Sequence, residues 1–283
     1  MNKNTFKTFV LLAGLTGMLV VIGGAISGGT GATIMLIVSF LMVGGSYWFS
    51  DKLAIKAARA VPASEAELPQ YFAIMRELSQ NAGMPMPKLY VTPDLQPNAF
   101  ATGRNPEHAA VAVTRGILEI CEWDELRGVL AHELSHVGNR DILIGSVAAA
   151  IATAITYLAY MAQWAAIFGG GRDRDQNPLA LLATALLAPL AAGLLQAALS
   201  RSREFEADRS GARLIGTGEP LARALLKLER GAHTIPMDVK PAQAQAYIVN
   251  PLSGRRIQFA NLFRTHPSTE DRVARLRAGE WAT

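Results

Sequence analysis

Trp123-Asp124-Glu125-Leu126-Arg127-Gly128-Val129-Leu130-Ala131-His132-Glu133-Leu134-Ser135-His136-Val137-Gly138 is the stretch from which the rest of the chain is read. Leu126, Val129, Leu130, Leu134 and Val137 recur at spacings of three and four, the apolar stripe of a helix packed on a core. Asp124 and Glu125 fall in its first turn, where acids favour the positive end of the helix dipole. His132 and His136 are four residues apart, on one face, together with Asn139. The pattern is HExxH. Two imidazoles one turn apart can share a zinc ion, and Glu133 between them can take a proton from a water on that ion. The spacing therefore predicts metal-assisted hydrolysis of a peptide bond. A surface histidine pair is the alternative, and the apolar stripe beside the motif weighs against it.

The surrounding chain is unusually apolar. Half of the 283 residues are hydrophobic, 18% are charged and mean hydropathy is +0.20. Four blocks carry the excess, at about 6–27, 32–49, 142–168 and 178–199, and none has a charge beyond Lys7. A helix needs about 20 apolar residues to cross the hydrocarbon core. Four buried core helices without a charged face would overfill a domain of this size, so the blocks are expected to be transmembrane. The first is too long for a signal-peptide core and a second follows within four residues, which predicts an uncleaved hairpin. Tyr47-Trp48-Phe49 marks an interfacial aromatic belt.

Basic residues flank the blocks on one side: Lys3 and Lys7, then Lys52, Lys56 and Arg59, then Arg201, Arg203 and Arg209. By the positive-inside rule those flanks are cytoplasmic. Four parts are thus expected. Residues 1–49 and 142–199 form two hairpins in the bilayer. Residues 50–141 and 200–283 form a cytoplasmic catalytic part, the first with a small sheet and the HExxH helix. The sheet is read from strands at Lys88–Thr92 and Ala109–Thr114, an extended Asn98–Gly103, and a turn at Arg104–Glu107. A helix over Leu68–Asn81 precedes it, with Leu68, Phe72, Met75 and Leu78 on one face and Pro69 in its first turn.

Other classes are weakly supported. A net charge of +4, from 27 basic and 23 acidic residues, with no basic run or zinc finger, is too mild to suggest nucleic acid, and none is expected as a partner. Gly169-Gly170-Gly171 follows no strand and is read as a connector. Cys121 is the single cysteine, so no intramolecular disulfide forms, and its expected role is packing. No feature specifies self-association.

A catalytic zinc needs a third protein ligand. Glu204, Glu206 and Asp208 are the candidates; Glu204 and Asp208 share a helix face, and spacing alone leaves the choice open between a ligand and a solvated acidic face. Asn139 and Asp141, just after the motif, are candidates for support behind the ligands, Asp141 alternatively for capping the step into the third span.

Over nearly its whole length the chain resembles the HtpX family of membrane zinc endopeptidases, relatives of the CAAX-prenyl endopeptidases. The resemblance rests on Pro97-Asn98-Ala99-Phe100-Ala101-Thr102-Gly103, on Ala131–Asp141, on Ser202-Arg203-Glu204-Phe205-Glu206-Ala207-Asp208 and on His266-Pro267-Ser268-Thr269-Glu270-Asp271-Arg272. It implies an α+β, mainly helical fold: four transmembrane helices and a cytoplasmic zincin-like (gluzincin) catalytic domain with a small β-sheet. It implies one Zn2+ per subunit, held by His132, His136 and Glu204, with Asp208 behind them and Glu133 catalytic. It places His266 and Arg272 near the transition state, an interhelical ion pair being the alternative for Arg272. It makes Asn98, Ala99, Phe100, Ala101 and Thr102 a sheet edge along which substrate lies as an added strand. It implies cleavage of misfolded or damaged membrane proteins, or unfolded polypeptides, as a stress response. The setting is the inner membrane of a bacterial-type cell, multi-pass, with the active site facing the cytoplasm. Cleavage deep in the bilayer is disfavoured by the polar run Gly138-Asn139-Arg140-Asp141, and an inert scaffold by the intact Glu133.

Overall fold

The computed structural model describes residues 3–143, 145, 201–239, 244, 246–252 and 267–282. The expected spans at 142–168 and 178–199, the Gly169–Gly171 connector and His266 lie outside the described residues, apart from the first residues of the third span.

The chain opens with helix α1, Lys3–Trp48, which is apolar on all sides. Gly28 interrupts it with φ +59, in the left-handed region that glycine enters freely. A Cβ at Gly23 would run into the Gly31 carbonyl and lie 2.6 Å from Met35 Cγ. In a straight helix residues eight apart are about 12 Å apart along the axis. The chain therefore folds back at Gly28, and the two arms touch. Among the described residues, the segment Gly28–Trp48 is long and apolar enough to cross a membrane; Leu12–Val21 is apolar but shorter.

A short helix α2, Ser50–Ala57, leads to strand β1, Val61–Pro62. Helix α3, Pro69–Asn81, follows with Leu68 as its N-cap. Proline fits there because the first turn has no N–H to give up. Tyr71, Ile74, Met75 and Leu78 are its buried apolar residues, with Leu68 and Phe72 partly buried against the same core. Strands β2, Lys88–Thr92, β3, Ala99–Gly103, and β4, Ala109–Thr114, complete a sheet of order β1-β2-β4-β3. β2 and β4 run parallel; the other pairs are antiparallel. The expected turn is a bend closed by a 3-10 turn at Pro106–His108, capped by Asn105.

Every residue of β4 is buried, as befits a strand covered on both faces. One face meets α3 and helix α5, Trp123–Gly138; helix α4, Arg115–Ile120, joins β4 to α5. The other face meets Ala54 and Ile55 of α2 and its C-cap Ala58, with Met237 and Tyr247.

α5 is the central element. The Glu125 carboxylate accepts from the backbone N–H of Glu122 at 2.9 Å and so fixes its start. Leu126, Val129, Leu130, Leu134 and Val137 are at most 1% exposed, each contributing about 2 kcal/mol of burial. Two further helices pack on it, α6, Arg201–Ile215, and α7, Glu219–Thr234; α8, Thr269–Arg277, packs in turn on those two. Residues before position 142 and after position 200 share one core, from Tyr71 and Val111 to Leu225 and Leu276.

Candidate active site

His132 and His136 project from α5 toward Glu204 on α6. The Nε2 atoms of the two histidines are 3.2 Å apart. Glu204 Oε1 lies 3.5 Å from His136 Nε2, and Glu204 Oε2 lies 3.8 Å from His132 Nε2. The three donor atoms fall within 4.8 Å of one another. A tetrahedral zinc with bonds of about 2.0–2.1 Å holds its ligand atoms about 3.3–3.4 Å apart. Separations of 3.2, 3.5 and 3.8 Å, the last two to different oxygens of the Glu204 carboxylate, are close to that spacing, and two imidazoles with one carboxylate is a zinc-type donor set.

Each histidine is steadied from behind. Asp208 Oδ1 is 2.9 Å from His132 Nδ1, and Asp141 Oδ2 is 3.4 Å from His136 Nδ1. A carboxylate on Nδ1 keeps a proton there and leaves the Nε2 lone pair facing the shared centre. Asp141 reaches back because Arg140 takes a left-handed φ of 58 just after α5 ends. Asn139 is the C-cap of α5, its N–H donating to the Ser135 carbonyl. Glu206 points to the surface, 3.6 Å from Arg209. The structure thus separates the two acids that spacing left on one face: Glu204 faces the histidines' Nε2 atoms and Asp208 sits behind one of them, while Glu206 is outside.

Arg272 is 2% exposed and fully engaged by protein groups. Its Nε and Nη2 donate to Asp208 Oδ2 and Oδ1 at 2.8 and 2.6 Å, and Nη1 donates to the Ile248 carbonyl at 3.0 Å. It pairs with Asp208 across helices and holds that carboxylate in place. Its Nη2 also lies 3.4 Å from His132 Nδ1 and its Nη1 3.8 Å from Glu204 Oε2, so the guanidinium stands beside the donor cluster as well. Burial disfavours the guanidinium charge, but Asp208 and the Glu204 and Glu133 carboxylates outweigh it and raise its pKa above the ordinary range.

Glu133 is 2% exposed, beside the donor cluster. Burial lifts its carboxyl to about 7; Glu204 adds to the rise, while His136, Arg272 and a hydrogen bond from the Ala101 N–H oppose it. Burial also lowers His132 to about 4, against the Asp208 hydrogen bond. For His136, burial opposes the charge, but the Asp141 hydrogen bond and the Glu204 and Glu133 carboxylates prevail and raise it to about 9.

The sheet edge is shorter than expected. The register turns Ala99, Ala101 and Gly103 outward from β4. Ala99 O already accepts from Ile248 N at 3.0 Å, and Ala99 N donates to Asn98 Oδ1 at 3.1 Å. Asn98 is fully buried, and its amide donates to the Val249 carbonyl at 2.8 Å. Phe100 faces the other side, its ring 5.1 Å from that of Tyr247, and Thr102 is buried. Asn98 is therefore a clamp on residues 248–249, and the outward backbone near the site is that of Ala101 and Gly103.

One contributor escaped the sequence reading. A Cβ at Gly211 would lie 2.9 Å from His132 N and 3.0 Å from Ala131 C. The missing side chain lets α6 approach α5 closely enough for Glu204 and Asp208 to reach the histidines. Its signal was present: Gly211 follows Glu204 by seven residues and Asp208 by three, so all three share one face.

Two histidines one turn apart, a buried glutamate between them and a carboxylate from a second helix as third donor define a metallopeptidase. Residues 65–280 match the family described as Peptidase family M48. Proteins named Protease HtpX homolog are close to the whole chain. That of Syntrophobacter fumaroxidans is 53% identical over 279 residues, covering 96% of this chain and 98% of its own. That of Pelotomaculum thermopropionicum is 52% identical, covering 97% and 99%. That of Burkholderia mallei is 51% identical, covering 96% of each. The chain belongs to peptidase family M48, among its HtpX-type proteases. Its fold is similar to that of S. mikatae Ste24p, with a TM-score of 0.54 at 19% identity, over 96% of this chain and 65% of that one. With its apolar Gly28–Trp48 segment, the protein is a membrane metalloprotease.

Proposed function

We propose that the protein is an integral membrane zinc endopeptidase that cuts misfolded or damaged membrane proteins on the cytoplasmic side of a bacterial inner membrane. The observation that carries the chemistry is the convergence of His132, His136 and Glu204 within 4.8 Å, with Glu133 beside them. The apolar blocks and their basic flanks support four spans and a cytoplasmic site. The relatives' names support proteolysis, and the quality-control role follows from the resemblance to the HtpX family.

His132, His136 and Glu204 would hold one Zn2+, which supplies Lewis acidity toward water and the scissile carbonyl. Asp208 and Asp141 keep the histidines aimed, and Arg272 keeps Asp208 in place. Glu133, whose carboxyl is pushed toward basicity by burial and by Glu204, takes the proton of the attacking water. It then delivers that proton to the leaving amine nitrogen. The Ala101 N–H fixes the orientation of the Glu133 carboxylate. The outward carbonyl of Ala101 and the backbone of Gly103 hold an extended peptide with little side-chain selectivity, which suits unfolded chains. His266 is assigned to the transition state by its motif alone.

Glu133→Gln tests the assignment. The variant keeps zinc, measured by metal analysis, and loses about 10²- to 10⁴-fold in cleavage of an unfolded membrane substrate. Activity within twofold of the wild type would remove Glu133 from the mechanism.

A further inference from the structure

Arg104 stands at the end of β3, where nothing in the proposed chemistry uses it. Its guanidinium carbon lies 4.9 Å from the centroid of the Trp48 ring, and Nη1 donates to the Trp48 carbonyl at 3.2 Å. Trp48 is the last residue of the apolar segment Gly28–Trp48 and is 59% exposed. Phe49 and Leu53 beside it are also exposed, and Lys52 lies 5.7 Å from the Phe49 ring. This is the composition of a membrane–water interface, aromatic rings with basic residues just beyond an apolar span.

The catalytic sheet is fixed to that interface at two points. α2 turns Ala54, Ile55 and its C-cap Ala58 inward against the Phe100 face of the sheet. Arg104 then ties the end of β3 to the end of α1. Three residues along β3 from Arg104, the Ala101 N–H holds Glu133. Three residues of strand span at most about 10 Å. The reacting centre is thus a short, set distance from the interfacial ring.

We infer that Arg104 and Trp48 are positioning residues that hold the cutting site a fixed distance from the bilayer, selecting peptide bonds just beyond a substrate's own membrane span. The inference rests on the proposed function. A chain leaving the membrane beside Trp48 and lying along β3 presents its scissile bond about three to five residues past the span, with the headgroup layer included. Neither residue touches the donor cluster, so both act by placement. Cation–π stacking with its hydrogen bond is what the arrangement loses on truncation.

The test uses the full-length zinc-loaded protein in vesicles with a single-span substrate. The substrate's unfolded tail, on the active-site side, is made of identical repeats, so that every position is chemically equal. Cut positions are mapped by mass spectrometry. The wild type is expected to cut within about five residues of the span. In Arg104→Ala, and in Trp48→Leu, which keeps the segment apolar, the cuts spread along the repeats. Both variants still cut a soluble unfolded polypeptide in detergent within twofold of the wild-type rate. Wild-type cuts spread evenly along the tail would overturn the inference while leaving the protease assignment standing. So would an unchanged distribution in both variants. If the wild type cuts neither the soluble nor the tethered polypeptide, the proposed function fails and takes this inference with it.

Discussion

Replacing Asp208 by asparagine separates two jobs that one carboxylate performs. Asp208 is 4% exposed and accepts from Arg272 at 2.8 and 2.6 Å, while its Oδ1 is 2.9 Å from His132 Nδ1. Asparagine matches its shape but removes the charge. Arg272 then stays charged and buried, with Glu204 at 3.8 Å as the next carboxylate. Breaking one side of a buried ion pair costs about 3–5 kcal/mol. At about 2–4 °C per kcal/mol for a domain of this size, Tm of the metal-free protein in detergent should fall by about 6–20 °C. Removing the group that orients a ligand histidine should also weaken zinc binding by about 10- to 100-fold, measured against a competing chelator. A second change, Arg272→Met, distinguishes the two effects. Removing both charges returns stability to within about 2 kcal/mol of the wild type, because the orphaned charge is gone. Zinc binding stays weak, because His132 still lacks its carboxylate. A single variant with Tm within about 2 °C of the wild type would refute the ion-pair argument. Recovery of zinc affinity in the double variant would refute the orienting role.

Gly211→Ala should force α6 away from α5, since its Cβ would sit 2.9 Å from His132 N; a loss of about 1–3 kcal/mol and weaker zinc binding follow, and unchanged Tm and affinity would contradict the close-approach argument. Zinc uptake should be proton-linked. His136 is raised to about 9, so below that pH its proton competes with the metal. Affinity should then rise about tenfold per pH unit from 7 to 9 and level off above. Titration with a competing chelator checks this, and a flat profile over that range would show that His136 is not a ligand.

The sequence by itself determined whatever depends on neighbours a few residues apart. The period of Leu126, Val129, Leu130, Leu134 and Val137 sets α5, and the four-residue spacing puts His132 and His136 on one face. Lys88–Thr92 and Ala109–Thr114 form strands at their expected bounds because short, largely apolar runs between turn residues have few alternatives. The resemblance added Glu204 and Asp208, which local spacing could not rank. Tertiary structure alone decided the rest. Arg272 meets Asp208 across 64 positions, and Asn98 clamps Val249 across 151. Whether an arginine meets a buried carboxylate, and whether an edge strand is open or already paired, depends on which distant segments pack together. Gly211 shows the reason most directly. Its effect is the absence of an atom, and it counts only once α6 has been brought against His132, a contact made by the folded core and by no pattern along the chain.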